Sequence, residues 1–227
     1  MEIKPIAFFH SSLTSKFGIP RQSGLANELQ GQIVFEPEYQ REEAVRGLEQ
    51  FDYLWLIWEF SANPHEQQGL TVRPPRLGGN ERVGVFASRS PFRPNRLGLS
   101  CVYINKVEMT RDKGPVIHVK GADLMDGTPI YDIKPYLSFS DSHPEAVNGF
   151  AEESKDYQLT LDIEHCTLDN MPADIRRDIA YILRQDPRPA YHDDPEREYK
   201  LEYAGYTVTF CVNCQTVEVK KIEKTQK

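Results

Sequence analysis

The stretch Phe51-Asp-Tyr-Leu-Trp-Leu-Ile-Trp-Glu-Phe60 contains the longest apolar run of the chain, the six residues from Tyr53 to Trp58. A membrane-spanning helix needs roughly 20 apolar residues, so this run is too short to cross a bilayer. A short apolar run rich in aromatic side chains is typical of a buried β-strand. We therefore predict a core strand at Phe51–Phe60.

Similar short runs fill the first 140 residues, and turn-forming residues separate them, for example at Gly78-Gly79 and Asp126-Gly127. One short helix is indicated there, at Tyr39–Leu48. The Gly-x-Gly-x-x-Gly and Walker A patterns are absent from the sequence, which disfavours a doubly wound nucleotide-binding sheet. Many short strands with little helix indicate a β-barrel or a β-sandwich. The predicted strands are Lys4–Phe9, Gly31–Phe35, Phe51–Phe60, Arg82–Ala87, Leu99–Met109, Val116–Lys120 and Pro129–Ile133.

The pattern changes near Ser140, where the acidic, turn-rich segment Asp141–Asp156 is typical of a linker. A helix is predicted over Pro172–Gln185, because apolar residues recur there with helical spacing. Two β-rich runs, Lys200–Phe210 and Thr216–Ile222, then predict a closing hairpin. We therefore predict a mainly β protein, with a β domain at residues 1–140 and a small α+β subdomain at residues 141–227.

The composition indicates a soluble, globular protein, with 39% apolar and 27% charged residues in a chain of 227. The N-terminus shows no basic segment followed by an apolar core, so no signal peptide is predicted. Four cysteines in a chain of this length do not make a disulfide framework, which indicates a reducing compartment. We therefore expect a cytoplasmic protein without a membrane segment.

Metal binding is not predicted from the cysteines or the histidines. Cys211-Val-Asn-Cys214 is a lone Cys-x-x-Cys pair at a predicted hairpin turn, and zinc usually needs two more ligands at matching spacing. Small residues in a hairpin are the simpler interpretation, with a metal or redox site as the alternative. The six histidines show no metal-ligand spacing.

Positive charge is concentrated in one segment, although the net charge of the chain is −7. Six arginines and one acid, Glu81, lie between Arg73 and Arg96. Prolines and glycines restrict the backbone there, so the arginines lose less entropy when they bind a phosphate or a carboxylate. The segment is therefore predicted to be a binding loop, with purely structural arginines as the alternative. Such a local patch keeps nucleic acid open as a partner.

The end of this segment reads Ser90-Pro-Phe-Arg-Pro-Asn-Arg-Leu-Gly-Leu-Ser100. Further distinctive motifs are Gly18-Ile-Pro-Arg-Gln-Ser-Gly24, Val45-Arg-Gly-Leu-Glu49, Thr71-Val-Arg-Pro-Pro-Arg-Leu-Gly-Gly-Asn80, Asp126-Gly-Thr-Pro-Ile-Tyr-Asp-Ile-Lys-Pro-Tyr136 and Asp186-Pro-Arg-Pro-Ala-Tyr191. In this order they resemble the TrmO (TsaA/YaeB-like) family of tRNA N6-adenosine methyltransferases. The resemblance covers the chain from about residue 5 to about residue 195.

The resemblance implies an enzyme that uses S-adenosyl-L-methionine to methylate N6 of threonylcarbamoyladenosine, next to the anticodon of threonine tRNA. It also implies that the N-terminal domain is a β-barrel that binds the methyl donor, and that the protein is a homodimer. The C-terminal subdomain would recognise the tRNA. The donor-binding residues implied in this way are Pro20, Arg21, Gln22, Ser61, Ala62, Arg89, Leu99, Asp126, Gly127, Thr128 and Pro129.

One position departs from the family pattern. Relatives usually have a His or Asp followed by a polar residue where this chain has Ser61-Ala62. A donor contact made by those side chains would be weakened here, whereas a contact made by the backbone would be kept.

The motif from Asp186 to Tyr191 supplies the candidate catalytic and substrate-binding residues. Arg188, expected to be exposed, could hold the threonyl carboxylate, because arginine binds carboxylates in a bidentate manner. Tyr191 could stack on an extruded base of the anticodon loop, and Asp186 is a candidate base for the N6 proton. A simple stop signal for the preceding helix is the alternative interpretation of the motif.

Two other functions fit the sequence less well than a methyltransferase does. A noncatalytic RNA-binding β-barrel would use the arginines for phosphates alone, yet only Phe86 and Phe92 accompany them as aromatic residues. A hydrolase acting on a phosphorylated metabolite would need a metal-ligand cluster or a nucleophile paired with a base. The sequence shows neither pattern, so the methyltransferase is favoured.

Overall fold

The computed structural model describes residues 2–63, 69–74, 81–163, 171–189, 192 and 194–225, without the side chains of Glu153 and Ser154. No helix in these ranges is long and apolar enough to span a membrane. The strands are β1 (Ala7–Ser11), β2 (Gln30–Phe35), β3 (Tyr53–Glu59), β4 (Thr71–Val72), β5 (Val83–Gly84), β6 (Leu97–Thr110), β7 (Gly114–Lys120), β8 (Thr128–Pro135), β9 (Thr160–Asp162), β10 (Tyr199–Tyr203), β11 (Tyr206–Asn213) and β12 (Thr216–Lys224). The helices are α1 (Glu42–Val45), α2 (Ser138–Asp141) and α3 (Ala173–Arg184), and 3-10 turns occupy Pro37–Tyr39, Leu48–Gln50, Val85–Ala87 and Gly149–Ser154.

Six strands close into a barrel in the order β1–β2–β7–β6–β3–β8, and each neighbouring pair is antiparallel. Closure pairs the two outermost strands of the sheet, so the barrel has no free edge. The predicted mainly β class and the N-terminal barrel are confirmed.

Strand β3 shows how the sequence fills this barrel. Leu54, Leu56 and Trp58 point inward and are at most 6% exposed. The alternate residues, Tyr53, Trp55 and Ile57, face outward, and Tyr53 is 44% exposed. The prediction of a core strand is therefore correct for alternate residues only, because successive side chains of a strand point to opposite faces.

The second unit is a four-stranded sheet in the order β10–β11–β12–β9, with α3 beside β9. Ile179, Ile182 and Leu183 of α3 are buried, as the helical spacing predicts. The core of this unit also takes in Leu13 and Leu29, from the segment that joins β1 to β2. Chain that is N-terminal in sequence therefore helps to build the C-terminal core.

Three predicted elements differ from the observed ones. The strand predicted at Arg82–Ala87 is only the two-residue β5, followed by a 3-10 turn, because its ladder partner among the described residues is the two-residue β4. The helix predicted at Tyr39–Leu48 is reduced to α1, because the backbone of Arg41 is extended and that of Arg46, with a ψ of 123°, is no longer helical. The strand predicted at Lys200–Phe210 is interrupted by a turn at Ala204-Gly205, where φ is 48° and 80°.

Candidate active site

A cavity of about 420 Å³ opens where β3 ends and β6 begins. The two strands are paired there, with Trp58 opposite Gly98 and Glu59 opposite Leu97. Loops before β2, after β3, before β6 and after β7 complete the wall. The lining residues are Lys16, Ile19, Pro20, Arg21, Gln22, Trp58, Glu59, Phe60, Ser61, Ala62, Asn63, Ser88, Arg89, Pro91, Arg93, Leu97, Gly98, Leu99, Asp123, Met125 and Thr128.

Eight of the eleven donor residues expected from the sequence line this one cavity, although they come from distant parts of the chain. They are Pro20, Arg21, Gln22, Ser61, Ala62, Arg89, Leu99 and Thr128. Asp126, Gly127 and Pro129 do not line it. The Asp126 carboxylate instead accepts a hydrogen bond from the backbone N–H of Ser11 at 3.1 Å and lies 3.2 Å from His10 Nδ1. A donor contact by any of the eleven residues stays a prediction, and these three do not share the cavity of the other eight.

Gly98 allows the Trp58 indole to form the floor of the cavity. A Cβ atom on Gly98 would lie under 3.0 Å from the indole ring, a distance that real Cβ atoms do not show. The indole Nε1 donates to Ser100 Oγ at 2.9 Å, and that hydroxyl donates to Asp123 Oδ1 at 2.5 Å. This chain of bonds fixes a carboxylate at the cavity wall.

Asp123 is half-buried in the cavity wall. Burial raises the pKa of its carboxyl, and bonds from Ser100 and from backbone N–H groups, together with the Arg89 charge, oppose that rise. An acid of this kind is a candidate functional group, because burial leaves its negative charge undersolvated.

The other acid of the wall, Glu59, is neutralised within the protein. Its Oε1 lies 3.0 Å from the Arg96 guanidinium, and its Oε2 accepts a hydrogen bond from the Tyr131 hydroxyl at 2.7 Å. Burial and this bond raise the pKa of Tyr131 to about 12. Four basic side chains also belong to the lining: Lys16, Arg21, Arg89 and Arg93. The lining therefore carries an excess of positive charge.

Arg21 and Arg89 are held by bonds that cross between loops. Arg89 Nη1 donates to Gln22 Oε1 at 2.5 Å. Arg21 Nη2 donates to the backbone carbonyl of Asp186 at 2.8 Å, which connects the cavity wall to the segment after α3. Burial lowers the pKa of Arg21, and the charge of Asp186 opposes that effect.

The Asp186 and Arg188 side chains form a buried ion pair, with Arg188 Nε 2.9 Å from Asp186 Oδ1. The other oxygen, Asp186 Oδ2, accepts a bond from the Tyr157 hydroxyl at 3.0 Å. The two side chains are 6% and 10% exposed, so the expectation that Arg188 is exposed is wrong. Asp186 has a φ of 52°, a strained value for a residue other than glycine. Tyr191, the third candidate of this motif, lies outside the described residues.

The described arginines of the arginine-rich segment have different surroundings. Arg89 and Arg93 line the cavity, whereas Arg96 pairs with Glu59 and Arg82 donates to the Thr71 hydroxyl at 3.3 Å. Arg76 lies outside the described residues. The structural interpretation therefore holds for Arg82 and Arg96, and a binding role for Arg89 and Arg93 stays a prediction.

Trp58 and Asp123 are cavity residues that the sequence did not identify as such. Trp58 belongs to an apolar run that predicts only core packing. Asp123 lies three residues before the Asp126-Gly127 turn, which begins one of the family motifs. The acidic position three residues before a recognised motif was the one available signal.

Within the described ranges, no group of three or more His, Cys, Asp or Glu residues could hold a metal ion. Cys211 is buried in β11 and Cys214 is exposed in the turn before β12. The predicted position of this pair at a hairpin turn is confirmed.

Two family models match this chain: the tRNA-methyltransferase O N-terminal domain over residues 8–142 and the TrmO C-terminal domain over residues 154–225. A protein of Escherichia coli K12 named tRNA (adenine(37)-N6)-methyltransferase is 36% identical over 230 residues, covering 98% of this chain and 97% of the relative. A Pseudomonas aeruginosa protein named putative S-adenosylmethionine-dependent methyltransferase RcsF is 38% identical over 206 residues, covering 87% and 86%. A crystal structure of TrmO from Pseudomonas aeruginosa superposes with a TM-score of 0.76 at 27% identity and covers 98% of each chain.

Proposed function

This chain belongs to the TrmO family and is a tRNA (adenine-N6)-methyltransferase, and from that premise we propose its donor, its substrate and the roles of its residues. The donor is S-adenosylmethionine, and the acceptor is N6 of threonylcarbamoyladenosine next to the anticodon of threonine tRNA. The observation that carries the donor assignment is the cavity, which brings together eight residues that the family motifs had implied.

The cavity lining fits this donor in size and in chemistry. A volume of about 420 Å³ lies in the range of roughly 300–1,000 Å³ that small-molecule sites occupy. Arg21, Arg89 and Arg93 would hold the carboxylate of the amino-acid end. Apolar side chains such as Phe60 and Leu99 would pack against the adenine ring. Bound there, S-adenosylmethionine would supply a methyl group activated by its sulfonium charge.

The protein contributes chiefly by holding its own groups in place. The bonds from Arg89 to Gln22 and from Arg21 to Asp186 fix two of the basic side chains before any ligand binds. Fixed groups lose little entropy on binding and can align a donor with an acceptor, which is the main source of rate in a simple displacement. We assign no general base.

We infer positioning roles for Asp186 and Arg188 in place of direct contacts with substrate. Their charges are satisfied by each other and by Tyr157, and the Asp186 carbonyl holds Arg21. The predicted stacking of Tyr191 on an anticodon-loop base is kept as part of the proposal.

The proposed tRNA contact is the exposed part of the arginine-rich segment beside the cavity. Phe86 and Phe92 are 76% and 45% exposed, and the exposed Arg82 lies in the same segment. Exposed aromatic rings among basic side chains suit unpaired bases and phosphates of a loop.

A homodimer in the cytoplasm remains part of the proposal, as the family resemblance implies. The outer face of β3 and β6 supports it, because Tyr53 and Tyr103 are exposed there with ring centroids 5.4 Å apart. Exposed aromatic clusters are typical of protein interfaces. Sedimentation of the wild type and of Tyr53→Asp would show a dimer and a monomer, and a monomeric wild type would contradict the proposal.

Two measurements test donor and substrate separately. Calorimetry should show S-adenosylmethionine and S-adenosylhomocysteine binding with micromolar-range affinity, about −8 kcal/mol. Single-turnover transfer of labelled methyl should occur with threonylcarbamoyl-modified threonine tRNA and be at least tenfold slower with the unmodified transcript. Equal rates would remove the threonylcarbamoyl requirement, and absence of donor binding by folded protein would remove the donor assignment.

A further inference from the structure

Among the described residues, the charges around the cavity leave one acid without a cationic partner in contact with it. Of the two carboxylates in the lining, Glu59 is paired with Arg96 and bonded to Tyr131. Asp123 receives its hydrogen bonds from the neutral Ser100 hydroxyl and from backbone N–H groups, and Arg89 acts on it through charge alone. Its negative charge is therefore available to a cationic ligand.

Resting on the proposed function, we propose that Asp123 faces the sulfonium centre of S-adenosylmethionine and makes the cavity prefer this charged donor to the neutral product, S-adenosylhomocysteine. Asp123 is thus a donor-recognition residue outside the motif positions on which the resemblance rests.

The positive excess of the lining makes such a carboxylate necessary. Lys16, Arg21, Arg89 and Arg93 suit the carboxylate of the donor's amino-acid end, but they repel its sulfonium. The ammonium group sits on the same carbon as that carboxylate and follows it toward the arginines. The sulfonium lies at the other end of the amino-acid chain, so a separate anion has to meet it.

The geometry holds Asp123 ready for this role. Trp58 donates to Ser100 and Ser100 donates to Asp123, so the carboxylate is oriented before the ligand binds. Ser100 is fully buried, which shields these bonds from water. Burial also raises the pKa of Asp123, and an undersolvated anion gains more from a cation than an exposed one does.

The same charge favours release of the product. During transfer the methyl carbon bonds to N6 as its bond to sulfur breaks, the electron pair of that bond stays on sulfur, and the N6 proton leaves to solvent. The sulfur is then a neutral thioether, to which the Asp123 carboxylate has no electrostatic attraction. A neutral side chain in place of Asp123 should therefore weaken the binding of the donor. It should have little effect on the binding of the product.

The test compares the affinities of the two ligands in charge-neutralised variants. Calorimetry with wild type and Asp123→Asn should show the S-adenosylmethionine affinity reduced about tenfold and the S-adenosylhomocysteine affinity changed less than about twofold. Asp141→Asn is the matched control, because that carboxylate also accepts a side-chain bond, from the Trp55 indole, and a backbone bond, from the Leu137 N–H, but lies outside the cavity between β3 and β6. Its affinities for both ligands should equal those of wild type.

A second variant, Asp123→Ser, keeps the test valid if Asp123→Asn does not fold. In Asp123→Asn the new amide group could face the Ser23 backbone N–H, from which the wild-type carboxylate accepts a bond. Asp123→Ser removes the charge without adding a donor group of that size. Equal weakening of both ligands, or no weakening of either, in a variant with a native melting transition would overturn the inference. A wild type that binds neither ligand would instead contradict the proposed function, so the two failures are distinguishable.

Discussion

Arg188→Ala should destabilise the protein, because the change removes one partner of a buried ion pair. The remaining Asp186 carboxylate, 6% exposed, would keep the bond from the Tyr157 hydroxyl at 3.0 Å but lose its cationic partner. Breaking a buried pair on one side costs about 3–5 kcal/mol, since an uncompensated charge stays in the interior. We expect the lower end, about 3 kcal/mol, because the Tyr157 bond remains.

That loss is large enough to be measured without ambiguity. In a chain of this size each kcal/mol shifts the melting temperature by about 2–4 °C, so Arg188→Ala should melt roughly 6–12 °C below wild type. Arg184→Ala is the matched control, since Arg184 is an exposed arginine at the end of α3. An exposed substitution of this kind should change stability by less than about 0.5 kcal/mol.

Two optical probes report on different parts of the molecule. Both tryptophans, Trp55 and Trp58, lie in β3, so their fluorescence follows the barrel, whereas far-ultraviolet circular dichroism follows both units. In a urea titration of Arg188→Ala the dichroism midpoint should fall. A parallel fall of the fluorescence midpoint would show that the two units unfold together.

Removing the unpaired charge of Asp186 should restore part of the stability that Arg188→Ala loses. Asp186→Asn combined with Arg188→Ala should be more stable than the sum of the two single changes predicts, because no buried ion is then left unpaired. An Arg188→Ala protein as stable as wild type would refute the buried pair. It would also restore the earlier prediction that Arg188 is exposed and free to hold a substrate carboxylate.

Three further changes test other parts of the site and fold. Arg89→Ala should weaken S-adenosylmethionine binding by about 1.5–3 kcal/mol in calorimetry, the scale of a charge-assisted hydrogen bond, and unchanged affinity would move Arg89 to another role. Gly98→Ala should cost about 1–3 kcal/mol in urea denaturation, since its Cβ would overlap the Trp58 ring; wild-type stability would contradict this contact. Burial raises the pKa of Asp178, although the bond from Tyr203 opposes the rise, so the fold favours the protonated acid. The free energy of unfolding should therefore fall as pH rises through this raised pKa, and less so in Asp178→Asn; identical pH profiles would show that Asp178 contributes nothing.

The sequence predicted those elements that depend on local pattern. Strands β2, β3, β6, β7 and β8 and helix α3 lie close to their predicted positions, because alternation and helical spacing reflect burial directly. The prediction of a strand over the whole of Arg82–Ala87 is wrong, because a long strand needs a long hydrogen-bonded partner and β4 has only two residues. Whether a β-rich run finds such a partner is decided by tertiary structure.

The site residues also differ in whether the sequence alone could identify them. Family motifs identified Arg21, Arg89 and Leu99, which the fold then brings to one cavity. Asp123 was missed, because its importance comes from a bond to Ser100 of β6 that exists only once the barrel has closed. The burial of Arg188 was missed for the same reason, as an arginine in a Pro-rich segment looks exposed until its partner Asp186 is located.

The segment between β1 and β2 belongs to both units, which has a consequence for how they act. Leu13 and Leu29 pack in the C-terminal core, while Pro20, Arg21 and Gln22 between them line the cavity. Asp186, after α3, holds Arg21 through its backbone carbonyl. A shift of the Asp186 segment would therefore move a hydrogen-bond acceptor of a cavity side chain. Coupling between sites requires a physical connection of this kind. If the cavity binds the donor as proposed, substrate contacts made beyond α3 would act on donor binding through Arg21, even though the cavity lies at the barrel.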